Sequence, residues 1–209
     1  MSMRIGYGWD SHAFKPGVPL IIGGLKIAHH SGLAGHSDGD VLLHCITDAL
    51  LGAVSAGDIG TFFPPSDPRW KNADSSIFLK TALEEVATAG YRIVNVDTVL
   101  ILMAPKIVPI AGEIRERVAE LLQISPGDVG IKAKTPEGLQ QDDTVVAHCT
   151  VLLESIDAAS DLESMAAVVD LDDSSQTEMD SVVKSLVGDE PLGTGLKRKR
   201  PTFDTDDIT

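Results

Sequence analysis

Hydrophobic residues recur at two different spacings along residues 1–154, and the changes of spacing predict alternating strands and helices. Five segments rich in β-branched and aliphatic residues predict strands: Arg4–Trp9, Leu20–Ile27, Tyr91–Met103, Val129–Lys134 and Val145–Leu153. The pair Gly23-Gly24 inside the second segment indicates a bulge or a turn. The run Val99–Met103 is apolar at every position, which predicts that this strand is buried on both faces.

Three other segments carry apolar residues at the spacing of one helix face: Asp40–Ala56, Ser75–Thr88 and Pro109–Leu122. Ser37 or Asp38 could cap the first helix, and Gly57 could end it. Strands and helices in this order predict an α/β fold of the α+β sandwich type. We expect a four-stranded mixed sheet with the helices packed on one face.

The composition changes near Glu154 and divides the chain into two predicted parts. Residues 155–209 hold 13 acidic and five basic residues and a single aromatic side chain, Phe203. Such a segment buries too little apolar surface to offset its ordering entropy. We therefore expect a folded domain over residues 1–154 and an acidic, mostly disordered tail over residues 155–209. The basic run Lys197–Arg200 in this tail is interpreted as a solvated charge cluster.

The charge and the apolar runs limit the possible partners. A formal net charge of −14 argues against nucleic acid as the main partner, although backbone amides and metals can still bind a small anion. The sequence shows no secretory signal and no apolar run of membrane-spanning length, so we expect a cytoplasmic protein. Cys45 and Cys149 lie in a helical and a strand pattern, and we expect them to be buried thiols.

Two acidic and histidine-containing clusters are candidates for a metal site. Asp10 and His12 follow a strand and, being two residues apart, point to the same side. Asp40, His44 and Asp48 share one face of the first helix, and Asp48 or Asp40 could orient a ligating imidazole. One carboxylate with two imidazoles suits zinc and leaves a fourth position open. Spacing alone does not join the clusters, and a helical histidine more often packs or pairs with a carboxylate.

Polar residues at two strand ends could bind an anionic ligand. Ala104-Pro105-Lys106 ends one strand, and Lys132–Glu137 ends another with a hydroxyl, a carboxylate and positive charge. Glu137 could hold a magnesium ion that also contacts phosphate. The same residues could equally be a solvated lysine and a turn. The proline-rich segment Phe63–Pro68 is stiff and could be a simple connector.

In order along the chain, these motifs resemble those of the 2-C-methyl-D-erythritol 2,4-cyclodiphosphate synthases. The resemblance runs from about Met3 to Glu154. It rests on Arg4-Ile5-Gly6-x-Gly8-x-Asp10-x-His12, His36-Ser37-Asp38-Gly39-Asp40-x-x-x-His44-x-x-x-Asp48-Ala49-Leu50-Leu51-Gly52, Gly57-Asp58-Ile59-Gly60 with Phe63-Pro64, Ala104-Pro105-Lys106 and Lys132-Ala133-x-Thr135-x-Glu137.

The resemblance implies a metal-dependent lyase of non-mevalonate isoprenoid biosynthesis that is a homotrimer with active sites between subunits. It implies zinc on Asp10, His12 and His44, and magnesium or manganese on Glu137 with the substrate diphosphate. His36 and Thr135 would stabilise the transition state. The substrate, a cytidine diphosphate derivative, would contact Asp10, His12, His36, Ser37, Asp58, Ile59, Gly60, Phe63, Asp67, Leu102, Ala104, Pro105, Lys106, Ala133, Lys134, Thr135 and Glu137.

The sequence departs from the family pattern in three places. Pro65 stands where Asp is frequent, and Lys134 replaces a small hydroxyl residue. The segment 138–144 lacks the family's Gly-Arg-Gly and is shortened. Two alternatives therefore stay open, namely a non-catalytic trimeric scaffold and a zinc-dependent phosphohydrolase on the same fold.

Overall fold

The computed structural model describes residues 1–138 and 143–156 of the chain. The strands are β1 Met3–Pro16, β2 Leu20–Ile22, β3 Leu25–Ile27, β4 Ser31–Leu33, β5 Tyr91–Ile101, β6 Val129–Lys134 and β7 Thr144–Ser155. The helices are α1 Val41–Ala53, α2 Ile59–Phe62, α3 Ser76–Thr88 and α4 Ala111–Leu122, with short 3-10 helices at Pro68–Trp70, Val108–Ile110 and Pro126–Asp128. The predicted tail lies outside the described residues, as does most of the segment after Gly138 that departs from the family pattern.

The main sheet has five strands in the order β4-β1-β7-β5-β6, so the predicted count of four is wrong. Only β5 and β6 run parallel, and the sheet is mixed as predicted. The fifth strand arises because β1 continues to Pro16, where its last residues pair with β4. The sequence prediction ended this strand at Trp9, because the polar residues that follow resemble a loop. The segment Leu20–Ile27 forms a separate hairpin, β2 and β3, that turns at Gly23 and Gly24, both with positive φ.

Helix α1 forms the centre of the core. Nearly all of its residues are buried, and it packs on β1 and β7. Its N-cap is Asp40, whose carboxylate accepts the N–H groups of Leu42 and Leu43, and not Ser37 or Asp38 as predicted. The helix ends at Ala53, before the predicted Gly57. Helix α4 begins at Ala111 because Pro109 lies in a preceding 3-10 helix.

The two faces of β1 differ in burial. Gly6 and Gly8 are buried against α1, whereas the alternate residues point to the opposite face and are exposed: Met3, Ile5, Tyr7 and Trp9. This alternation gives one sheet face covered by helices and one with an exposed apolar stripe. Cys45 and Cys149 are buried free thiols, as predicted. Within the described residues, none of the helices combines the length and the apolar character needed to cross a bilayer.

Candidate active site

Strand β1 and helix α1 bring Asp10, His12 and His44 together. One ligand atom from each residue lies within 4.8 Å of the others. Asp10 Oδ2 is 2.9 Å from His12 Nε2 and 3.1 Å from His44 Nδ1, and the two ring nitrogens are 3.2 Å apart. The two clusters, which sequence spacing could not connect, therefore form a single half-buried site.

The charges at this site suit a divalent cation. Burial alone would raise the pKa of Asp10, but the adjacent imidazoles of His12 and His44 lower it well below its ordinary value. Burial lowers the pKa of His12, yet its hydrogen bond with Asp10 and the charge of that carboxylate raise it overall. A carboxylate that is ionised, beside two imidazoles whose nitrogens converge, is a donor set that fits zinc.

The other ring nitrogen of His44 contacts two serine hydroxyls. His44 Nε2 is 2.9 Å from both Ser37 Oγ and Ser75 Oγ. The prediction that Asp40 or Asp48 orients the imidazole is wrong. The buried Asp40 carboxylate caps α1 and accepts the N–H groups of the β2–β3 turn. Asp48 accepts the N–H of Ile59.

A cavity of about 180 Å³ opens beside the three candidate ligands. Its lining residues are His12, His36, Ser37, His44, Ile59, Gly60, Phe63, Pro65, Trp70 and Phe78. The ring centroids of Phe63 and Phe78 are 4.4 Å apart, and Trp70 meets Phe63 edge-on at 4.9 Å. Sequence reasoning missed Trp70, Ser75 and Phe78, because a single aromatic or serine residue beside a helix end carries no signal of a distant site.

Two predicted substrate residues near this cavity make local contacts. Asp58 caps α2 and accepts the N–H and hydroxyl of Thr61. Asp67 caps the 3-10 helix after the proline-rich loop and pairs with Arg69 at 2.6 Å. The Asp58 carboxylate thus caps the segment that contributes Ile59 and Gly60 to the cavity, and the Asp67 carboxylate caps the one that contributes Trp70.

The remaining predicted site residues lie together at the ends of β5 and β6. Leu102 donates its N–H to Lys134 O at 3.1 Å, and the hydroxyl of Thr135 donates to the Glu137 carboxylate. The residues of this second group are Leu102, Ala104, Pro105, Lys106, Ala133, Lys134, Thr135 and Glu137. None of its members is among the residues that line this cavity, although Ala104 lines a second cavity with Phe14 of β1.

The ordered motifs and the fold match one family. The YgbB family model matches residues 3–154, which is most of the chain. This chain belongs to the YgbB family. Together with the relatives described next, which are synthases by name, this match confirms the resemblance inferred from the sequence motifs.

Two relatives and one solved structure similar to this YgbB-family chain share the name 2-C-methyl-D-erythritol 2,4-cyclodiphosphate synthase. The 2-C-methyl-D-erythritol 2,4-cyclodiphosphate synthase of Koribacter versatilis is 64% identical over 152 residues, which span 73% of this chain and 98% of the relative. The chloroplastic enzyme of that name from Oryza sativa is 49% identical over 156 residues, 73% of this chain and 70% of the relative. A solved structure of such a synthase in its CDP-bound form is 40% identical with a TM-score of 0.68, covering 72% of this chain and all of the other.

Proposed function

We propose that this chain converts 4-diphosphocytidyl-2-C-methyl-D-erythritol 2-phosphate into 2-C-methyl-D-erythritol 2,4-cyclodiphosphate and CMP. The family and the 64% identity to a synthase of this name support the reaction. The single structural observation that carries the proposal is the convergence of Asp10, His12 and His44 beside a cavity lined by His36 and Ser37.

The proposed reaction is an internal phosphoryl transfer. An oxygen of the 2-phosphate forms a bond to the β-phosphorus, and the bond from that phosphorus to the CMP oxygen breaks, so that CMP leaves with the electron pair. Such a reaction depends on positioning and on charge neutralisation more than on covalent catalysis. Residues that fix two phosphates in one orientation are therefore what the protein must supply.

Asp10, His12 and His44 would hold zinc, and Glu137 would hold magnesium or manganese on the diphosphate. When bound, these ions would neutralise phosphate charge and help to orient the reacting groups. His36 and Thr135 would donate hydrogen bonds where charge develops in the transition state.

The residues around the cavity would bind the rest of the substrate. Asp58 would accept erythritol hydroxyls beside Ile59 and Gly60, and the Phe63–Asp67 loop would cover them. Residues Leu102–Lys106 with Ala133 would hold the cytidine. The rice relative is named chloroplastic, so the cytoplasmic location expected here stays a prediction.

A homotrimer with active sites between subunits would complete the site. The β5–β6 group does not line the cavity in a single chain, although the roles proposed for Thr135 and Glu137 would require both residues near the phosphates. The exposed stripe of β1 offers a surface for such an assembly, since Met3, Ile5 and Tyr7 are 59%, 71% and 61% exposed. Apolar patches of this kind mark protein–protein contacts.

The proposed reaction is tested by product analysis. Purified protein with zinc and magnesium should release one CMP for each cyclic diphosphate, detected by mass spectrometry and ³¹P NMR. A linear phosphate product would favour the phosphohydrolase, and binding of cytidine nucleotides without turnover would favour the scaffold. His30→Ala is a matched control for the loss of zinc in His44→Ala, because His30 is an exposed histidine that is not one of the three ligands.

The shared site is tested by mixing inactive variants. His44→Ala and Thr135→Ala each remove one of the two groups, so each alone should be inactive. Mixed and reassembled subunits should regain part of the activity, because some interfaces then combine two intact groups. Persistent inactivity, with mixed trimers shown by native mass spectrometry, would place the whole site within one chain.

A further inference from the structure

Ser75 stands at the N-cap of α3 but does not cap that helix. An N-cap serine ordinarily accepts an N–H of the first helical turn through its hydroxyl. Here the N–H groups of Phe78 and Leu79 bond to the backbone carbonyl of Ser75, and its side chain makes no capping bond. The hydroxyl is fully buried and lies between Asp38 and His44.

The hydrogens of this cluster fix the direction of each bond. A carboxylate accepts hydrogen bonds only, so the Ser75 hydroxyl donates its single hydrogen to Asp38 Oδ1. Its oxygen is then left to accept from His44 Nε2, 2.9 Å away. Nε2 therefore carries a hydrogen, which leaves Nδ1, the ring nitrogen that faces Asp10 and His12, as the one that can bind a metal.

The backbone holds Asp38 and Ser75 in this arrangement. The second carboxylate oxygen of Asp38 accepts the N–H of Ser75 at 3.2 Å. The segments that carry the two residues are also joined by bonds from Asp38 N to Ala73 O at 3.0 Å and from Asn72 N to His36 O at 2.8 Å. The orienting hydroxyl is thus fixed from two sides.

Ser37 is the competing partner of His44 Nε2, at the same 2.9 Å. Its oxygen also accepts the N–H of Gly39, and Ser37 lines the cavity where the substrate is proposed to bind. Ser75, by contrast, is not among the residues that line the cavity. Of these two hydroxyls, that of Ser75 has its hydrogen held by a carboxylate, which leaves its oxygen to accept from His44 Nε2.

We infer that Ser75, held by Asp38, is a positioning residue that fixes the His44 imidazole with Nδ1 as its metal-binding nitrogen. This inference rests on the proposed zinc site. A hydrogen bond to the distal nitrogen of a ligating histidine sets its tautomer and ring orientation, and loss of such partners typically weakens metal binding by about 10–100-fold.

The first test measures zinc affinity of the full-length protein by competition with a chromophoric chelator. Ser75→Ala and Asp38→Asn should each raise the zinc Kd about 10–100-fold. Ser76→Ala is the matched control, because its side chain takes no part in the bonds to His44, and its Kd should stay at the wild-type value. An unchanged Kd in Ser75→Ala, or a larger loss in Ser37→Ala, would overturn the inference.

The second test uses the zinc-loaded wild-type protein and needs no variant to fold. ¹⁵N-edited NMR of the histidine rings should show a slowly exchanging hydrogen on Nε2 of His44. A hydrogen on Nδ1 would overturn the inference. The proposed zinc site fails separately, if His44→Ala binds zinc as tightly as the wild type.

Discussion

Gly8→Ala should push β1 away from α1 and separate the proposed metal ligands. A Cβ on Gly8 would lie 2.0 Å from Cys45 O and 2.9 Å from Ala49 N, both backbone atoms of α1. An ordinary van der Waals contact at this position is 3.4–4 Å, so strand and helix must move apart by more than 1 Å. Gly8 lies two residues before Asp10, and Cys45 directly follows His44, so the strain acts on the site itself.

The expected loss of stability in Gly8→Ala follows from the kind of atoms that clash. Overpacking a core typically costs about 1–3 kcal/mol, and we expect at least the upper value because backbone cannot rotate away as a side chain can. A loss of about 3 kcal/mol corresponds to a fall in Tm of roughly 6–12 °C for a chain of this size. Zinc affinity should fall as well, since Asp10 and His12 move relative to His44.

Gly52→Ala, in the helix that Gly8 contacts, is the matched control. Nothing lies within 4 Å of a Cβ at Gly52, and alanine is a better helix former by up to about 1 kcal/mol. The two substitutions are therefore expected to shift the urea midpoint in opposite directions, measured at equal protein concentration. A Gly8→Ala protein with wild-type stability and zinc affinity would refute the close approach of β1 to α1.

Three further predictions use buried or charged groups of the same region. The pKa of His12 is raised above 6.5, so a proton competes with zinc for this imidazole already above pH 6.5. The apparent zinc affinity should therefore begin to fall before the pH drops to 6.5. An affinity that stays level below that pH would contradict the prediction. Asp40→Ala leaves three buried backbone N–H groups and a fourth, part-buried one without their acceptor and should lower the free energy of unfolding by more than about 2 kcal/mol in urea titrations. A hydrogen bond between the buried thiols and their burial raise the pKa of Cys149, so Cys45 and Cys149 should react with a thiol reagent only after unfolding; rapid labelling of the native protein would show that the core of α1 and β7 opens.

Local patterns predicted the parts of the fold that depend on neighbouring residues. The alternation of β1 placed Asp10 and His12 on one side, and the helical spacing placed His44 at the buried start of α1. The glycine pair Gly23-Gly24 marked the hairpin turn. Each of these features depends on backbone geometry within a few residues, and a single sequence contains that information.

Features set by distant contacts could not be predicted in the same way. Asp40 looked like a candidate to orient a histidine, but it caps α1 because the β2–β3 turn packs over the start of that helix. Ser75 orients His44 because the segments before α1 and α3 are hydrogen-bonded to each other. The extra strand β4 depends on a late part of β1 whose polar residues resemble a loop.

Zinc content measured alongside turnover tests the central claim most directly. Protein purified without chelator should contain about one zinc per chain, and the His44→Ala protein should contain none and release no CMP from the proposed substrate. The His30→Ala control should keep its zinc. Full CMP release by a His44→Ala protein free of zinc would contradict the account.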